Sequence, residues 1–401
     1  MRQPDAPLGL LVIGSGVAGL SAAVRAADRG LVVGVLTKGQ LEQSTTRWAL
    51  TALAAAWPES RGAHAGGLSG QRRGAVTTDP RSTRAGFGLV NIPIPDDLVP
   101  VMAAHLTSQV GAVTPPADVV ADAVGRALRE DLEPDGDLSA ALLPVDSVAV
   151  GAIVARSGGV LAGSACAEEA FRQVDPSIRV TWHRSDGGPL HPGDVVADVQ
   201  GPLAPVLTAE RTALNFLCRL SGIATETSRW VAATGGGARI WDTRKTTPGL
   251  RILEKAAVRS GGGLNHRLNL SHWVMLKDNH LTGTDIAGAV AASRRRWPGR
   301  TVHVECETLD QVRESLEAGA DALLLDNMTP SRIAACVAEV RGHASRHGVR
   351  PLLEASGGIT LTAVADYAAT GVDCISSGAL TSSAPALDLG LDLIDPETTC
   401  C

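Results

Sequence analysis

Short apolar runs in the second half of the chain each end in groups able to bind anions or metals. They are "ARIWDTRKT" (238–246), "WVMLKDNH" (273–280), "VHVECET" (302–308), "ALLLDNM" (322–328), "LLEASGG" (352–358) and "CISSGAL" (374–380). The polar residues that follow the runs are Asp242, Arg244, Lys245, Lys277, Glu305, Asp326, Ser356 and Ser377. The loop "GGGLNHR" adds His266 and Arg267, and its glycines are expected to bring backbone close to a ligand. The cations Arg244, Lys245, Arg267 and Lys277 are opposed only by Glu305 and Asp326. Arg and Lys pair with carboxylates and phosphates through charge-assisted hydrogen bonds, and two carboxylates are hard ligands for Mg²⁺. On a chain of net charge -6, such a local excess of cations points to a strongly anionic substrate.

The last two runs end in small residues, Ser356, Gly357 and Gly358, then Ser376, Ser377 and Gly378. These expose backbone N–H groups at the start of the following helix, the usual place for a phosphate in a barrel. The site is therefore expected to hold a phosphorylated sugar near Gly357 and Gly378 and a metal near Glu305 and Asp326. A separate carboxylated molecule is expected at the Arg, Lys and His group. Cys306 and Cys374 flank the site and read as core filler, and neither a general base nor a nucleophile is apparent.

Such a cluster needs elements that deliver all its members to one face. Amphipathic helices separate several of the runs, among them "TLDQVRESLEAGA" (308–320), where Leu309, Val312 and Leu316 share a face, and "TLTAVADYAATG" (360–371). Strands alternating with helices imply right-handed βαβ units and a parallel sheet. A doubly wound sheet gathers polar groups only where its strand order reverses, whereas a barrel gathers them from every strand. Convergence of this many matched groups favours the barrel. Upstream, "ADVVADAVGRALREDLEPDGDLSAALLP" opens as an amphipathic helix with Val120, Val124 and Leu128 at helical spacing. "AVGAIVARSGGVLAG" (149–163) and "DVVADVQGPL" (194–203) read as strands of a smaller α/β domain, and "TAERTALNFLCRLSGIAT" (208–225) as a helix.

The N-terminal segment has another character. "LGLLVIGSGVAGLSAAVRAADRG" reads as strand, glycine turn and helix, with Gly14, Gly16 and Gly19 in the spacing that lets backbone N–H groups approach a pyrophosphate. Followed by "STTRWA" (44–49), it resembles L-aspartate oxidase and its succinate dehydrogenase flavoprotein relatives. The Q-G-G run that follows in that family is replaced here by "LTALAAAWPES", and "ESRGAH" (59–64) resembles a signature from the far end of the family. Two strands cannot cover the faces of a dinucleotide-binding domain, so these residues read as a remnant without its flavin site.

Charge and cysteine usage narrow the class. A net charge of -6 argues against nucleic acid as a partner. The seven cysteines, Cys166, Cys218, Cys306, Cys336, Cys374, Cys400 and Cys401, include no C-x-x-C pair, which suits reduced thiols in a cytoplasm. "LVVGVLTKG" supplies a second buried strand where a secretory leader would have ended, and no run reaches the roughly 18 apolar residues of a membrane helix.

The strand-end motifs "DTRKTTPGLR", "EKAAVRSGGGLNHRLNLSHWVMLKDNH" and "LEASGGIT", together with "AERTALNFLCRLSGIAT", resemble the quinolinate phosphoribosyltransferase family from about Val113 onward. "GDLS" (136–139) departs from the G-D-x-T-S usual there. The resemblance implies transfer of phosphoribose from 5-phosphoribosyl-1-pyrophosphate to quinolinate with loss of CO₂, giving nicotinate mononucleotide in de novo NAD synthesis. It also implies Mg²⁺ as cofactor and a homodimer in which Arg211 reaches the neighbouring subunit's site. The expected fold class is α/β, an incomplete (open) β/α barrel with a smaller N-terminal α/β sandwich domain. The expected division is a flavoprotein-like remnant (1–112), the small domain (113–225), and the barrel with a C-terminal return to the small domain (226–401). Two competing readings are a flavin-dependent oxidase and a barrel whose catalysis the N-terminal segment has disabled.

Overall fold

The computed structural model describes residues 10–13, 33–36 and 114–394. The chain divides into two units, Met1–Gly88 and Leu89–Cys401. In the first, strands β1 (Leu10–Ile13) and β2 (Val33–Leu36) pair in parallel, with Leu10 opposite Val33. Gly14, Gly16 and Gly19, the helix expected after them, "STTRWA", "ESRGAH", and Cys400 and Cys401 lie outside the described residues.

The described part of the second unit begins with α1 (Ala117–Leu132), which buries Val120, Ala123, Val124 and Leu128 along one stripe. Asp137 then ties the following turn to the next helix but one. Its carboxylate accepts the Ser139 and Ala140 N–H groups and the Thr208 hydroxyl, all within 3.0 Å. Strands β3 (Val148–Ala155), β5 (Arg179–Trp182), β7 (Val195–Pro202) and β14 (Leu389–Leu393) form an antiparallel sheet in the order β14-β3-β7-β5. The chain therefore comes back from its far end to complete this sheet. A two-stranded ribbon, β4 (Gly159–Val160) with β6 (Pro189–Leu190), lies between. Helices α2 (Ser164–Val174) and α3 (Leu203–Ala233) pack on each other and supply Phe171, Leu214 and Leu217 to the shared core. The expected helix at 208–225 is longer than predicted. It starts directly after Pro202, whose φ of -57° suits the position before a helix, and runs on through Trp230, which is buried.

The six apolar runs all form strands: β8 (Arg239–Trp241), β9 (Val274–Leu276), β10 (Val302–Cys306), β11 (Ala322–Asp326), β12 (Leu352–Ser356) and β13 (Cys374–Ser376). They make one parallel sheet in the order β8-β13-β12-β11-β10-β9. Strands β8 and β9 end the order without pairing to each other, so the barrel is open. Leu264 lays a single parallel bridge on Trp241 at that edge. The intervening helices are α4 (Arg251–Ser260), α5 (Ile286–Arg296), α6 (Leu309–Glu317), α7 (Pro330–His347), α8 (Val364–Ala368) and α9 (Ala379–Ser382). Side-chain oxygens start several of them: Asp285 for α5, Thr308 in a capping box with Gln311 for α6, and Thr329 before Pro330 for α7.

Alternation along the strands decides which side chains reach the barrel interior. Ile240, Val304, Leu323, Leu325, Leu353 and Ile375 point outward into the main core under the helices. The intervening positions point inward and form two small apolar clusters, Trp241 with Ala322, Leu352 and Cys374, and Trp273 with Met275 and Leu324. Among the described residues no helix is long and apolar enough to cross a membrane.

Candidate functional site

Register places the polar groups in one ring. Asp326 pairs with Ser356, Ser376 pairs with Trp241, and Glu305 pairs with Leu324, two residues before Asp326. Because side chains alternate, Glu305 and Asp326 share the inward face of neighbouring strands. Lys277, one residue past the end of β9, forms an ion pair with Glu305. The Asn327 amide donates to one oxygen of Asp326 at 2.6 Å.

Beyond β8 the chain turns to lay Arg244 and Lys245 over the mouth. Thr381 on α9 donates to the Lys245 carbonyl at 2.6 Å, which fixes the loop against the last helix. Arg251 braces it from beneath through the Thr246 hydroxyl at 3.0 Å and the Arg244 carbonyl at 3.4 Å. Lys245 is exposed at the site, and a Cβ at Gly378 would stand only 2.7 Å from its Cδ. Gly378 therefore makes room for the lysine.

Arg267 is buried, and the loss of water lowers its pKa, as does the positive charge of Arg244; Glu354 and Glu305 act the other way. Neither guanidinium has a carboxylate within ion-pair distance among the described residues, and the Arg244 Nε is buried without a partner. Like charges held close and partly desolvated are costly until an anion lies between them. His266 is also buried, its ring edge-on to Trp241 (centroids 5.5 Å apart) and to Trp273 (4.9 Å).

Ser356, Ser377, Gly357 and Gly358 lie at the ends of β12 and β13. The Ser376 hydroxyl donates to that of Ser356 at 3.0 Å, and the Ser377 hydroxyl accepts the Ala379 N–H at 3.3 Å. Gly357 has φ of 89°, and a Cβ there would lie 2.3 Å from the Asn327 amide oxygen and 2.5 Å from its backbone nitrogen. Arg211 stands exposed on α3, with no hydrogen bond or ion pair to the strand-end groups.

Four expectations need correction. Asp242 does not join the ring: it follows the inward Trp241, so its side chain faces the other way, into a sealed pocket. There it pairs with Lys255 of α4 and accepts the Asn265 amide at 2.6 Å and the His266 N–H at 2.8 Å. Burial raises its pKa and lowers that of Lys255, each opposed by the other's charge. The glycines before His266 serve the fold rather than a ligand, since a Cβ at Gly261 would sit 2.3 Å from the Ala224 carbonyl and one at Gly263 2.7 Å from Thr227. Gly357 and Gly358 do not open a helix, because α8 begins only at Val364; Gly378 alone immediately precedes one, the four-residue α9. Finally, the count of opposing carboxylates omitted Glu354, which is fully buried beneath the cations.

Glu354 and His303 are the inward residues that sequence reasoning passed over. Each lies two positions before a residue that it did select, Ser356 and Glu305, and that spacing was the available signal. Burial would raise the Glu354 pKa, but His266, by charge and as a nearby donor, together with the charge of His303 and the nearby Ser376 hydroxyl, holds it down to about 2. Burial, helped by the positive charges of His266 and Arg267 and opposed by Glu354, brings His303 down to about 4. Cys306 and Cys374 are buried, and burial pushes the Cys306 thiol up to about 12, the inert form expected of core filler.

Comparison with known proteins places these observations in a family. Residues 137–221 match "Quinolinate phosphoribosyl transferase, N-terminal domain", residues 223–392 match its C-terminal domain, and residues 9–67 match "FAD binding domain". The carboxylating nicotinate-nucleotide pyrophosphorylase of Mycobacterium leprae is 42% identical over 286 residues, 69% of this chain and 98% of that protein. A probable enzyme of the same name from Bacillus subtilis is 41% identical over 261 residues, 64% and 88% of the two chains. Among solved structures, the Francisella tularensis nicotinate-nucleotide pyrophosphorylase superposes with a TM-score of 0.66 at 36% identity, over 70% of this chain and 98% of that one.

Proposed function

The chain belongs to the quinolinate phosphoribosyltransferase family, and from that premise we propose how its barrel carries out the family's reaction. Phosphoribose passes from 5-phosphoribosyl-1-pyrophosphate to the ring nitrogen of quinolinate. Pyrophosphate leaves, CO₂ is lost from ring carbon 2, and nicotinate mononucleotide forms for de novo NAD synthesis. The observation that carries this reading is the unpaired couple Arg244 and Arg267 at the barrel mouth. A dianion with adjacent carboxylates satisfies both.

Arg244, His266, Arg267 and Lys277 hold the quinolinate carboxylates, and their fixed placement costs no reorganisation as charge shifts during the reaction. Lys245, exposed at the rim, neutralises pyrophosphate. Ser356, Gly357, Gly358, Ser377 and Gly378 surround the 5-phosphate with hydroxyl and backbone donors. Glu305 and Asp326 orient the ribose hydroxyls, and their negative charge favours the oxocarbenium-like carbon. The same two carboxylates suit Mg²⁺: they share a face, and Asp326 keeps one oxygen free of protein donors. Glu305 and Asp326 would hold Mg²⁺, which would supply neutralisation of the leaving pyrophosphate's charge. When CO₂ departs, its bonding pair stays at carbon 2 beside the positive ring nitrogen, and that carbon then takes a proton. No protein nucleophile enters.

We place the protein in the cytoplasm, which suits the five free thiols of the described residues. It acts as a homodimer, with the exposed Arg211 of α3 serving the neighbouring subunit's site. Residues 1–112 are assigned no part in the reaction. Incubating the chain with quinolinate, 5-phosphoribosyl-1-pyrophosphate and Mg²⁺ should yield nicotinate mononucleotide, and its absence from a folded dimer would refute the proposal.

A further inference from the structure

Below the substrate cations, His266, His303 and Glu354 converge, all buried, with one ligand atom from each within 4.8 Å of the others. The Glu354 Oε2 stands 3.3 Å from the His266 Nε2 and 3.5 Å from the His303 Nε2. These are long for charge-assisted hydrogen bonds, and both Glu354 oxygens and the His303 Nε2 are buried without a partner that meets hydrogen-bond geometry. The unpartnered His303 Nε2 thus faces a carboxylate whose oxygens are equally unpartnered. Two such groups facing each other out of water call for a cation between them.

We propose that the His266 Nε2, His303 and Glu354 form a binding site for a divalent transition ion of the zinc class, separate from the carboxylate pair suited to Mg²⁺, with the other ring nitrogen of His266 left for the quinolinate carboxylate. Ligand atoms about 2.0–2.1 Å from a tetrahedral ion stand roughly 3.3–3.4 Å from one another, close to the two measured edges. Two imidazoles and one carboxylate suit zinc over magnesium and leave a fourth position open. The outer contacts include a brace of the kind that steadies a metal-bound histidine, because Asp242 and Lys255 grip the His266 backbone. Arg267 opposes the ion and moderates its affinity.

The test is equilibrium dialysis of the chelator-stripped full chain against Zn²⁺, with Co²⁺ as the spectroscopic probe and circular dichroism to verify folding. The expected result is about one ion per chain and a Co²⁺ spectrum of nitrogen and oxygen ligation. His303→Ala should weaken binding at least about 100-fold, and so should Glu354→Gln, which serves if the first variant fails to fold. Replacing His343 and His347, whose rings lie 4.4 Å apart on α7, should change nothing. Failure of the stripped chain to bind, unchanged affinity in a folded His303→Ala or Glu354→Gln, loss of binding in the His343/His347 variant, or thiolate bands with Co²⁺ would each overturn the site. Mg²⁺-dependent turnover is read separately, so an active chain with no zinc site refutes this inference and leaves the proposed reaction standing.

Discussion

Asp242 and Lys255 form an ion pair sealed from solvent, and the same carboxylate holds the backbone N–H of His266 at 2.8 Å. The pair carries the fold of β8 and α4 to a loop whose next two side chains enter the site. Taking one partner away leaves a buried charge alone, at a cost of about 3–5 kcal/mol. Lys255→Met should therefore lower unfolding stability by that amount in urea titration. Asp242→Asn with Lys255→Met should recover part of the loss, and a nearly neutral Lys255→Met would contradict the account.

Arg267→Ala tests the opposite balance. The guanidinium is buried beside Arg244 without an ion-pair partner, so its removal relieves repulsion. Thermal unfolding should stay unchanged or rise, while kcat/KM for quinolinate falls at least about 100-fold, the worth of a lost charged hydrogen-bond pair. Retained turnover would show that the carboxylate assignment is wrong.

Two adjacent glycines should respond differently to alanine. Gly357 and Gly358 both have positive φ, 89° and 60°, but only at Gly357 would a Cβ collide with Asn327. Gly358→Ala should cost about 1 kcal/mol from backbone conformation alone. Gly357→Ala should cost more in the same denaturation assay and should disturb the Asp326 carboxylate through its contact with Asn327.

Asp137 supplies a pH-dependent term far from the barrel mouth. The Ala140 N–H, the Thr208 hydroxyl and the Ser139 N–H hold its carboxyl below the usual value of 3.8. A depressed folded-state pKa contributes stability above the unfolded pKa and loses it as pH falls through the folded one. Asp137→Asn should thus unfold at lower urea concentration at pH 7, by about 0.5–1.5 kcal/mol for the weakened bonds, and the gap should close below about pH 3.8.

The strand ends were readable because an apolar run followed by a charged turn has one simple meaning in a parallel sheet, and each of the six runs became a strand. The shared face of Leu309, Val312 and Leu316 was likewise local, and α6 spans those residues. What stayed hidden depends on direction rather than composition. Asp242 looks like Arg244 and Lys245 in the string, yet alternation after Trp241 turns it into a structural pocket. His303 and Glu354 look like interruptions of apolar strands; their spacing from Glu305 and Ser356 marks the inward face, but their meeting with His266 is seen only in the folded barrel. The glycines at 261 and 263 could not be assigned from sequence either, since their reason is the passing backbone and side chains of α3.

The central claim is that this barrel couples phosphoribosyl transfer to decarboxylation of quinolinate. The direct measurement supplies quinolinate labelled in its 2-carboxylate, with 5-phosphoribosyl-1-pyrophosphate and Mg²⁺, and follows labelled CO₂ and pyrophosphate together. The account predicts equal release of both, dependent on the phosphoribosyl donor and abolished in Arg267→Ala. Labelled CO₂ without the donor, or pyrophosphate without CO₂, would contradict it.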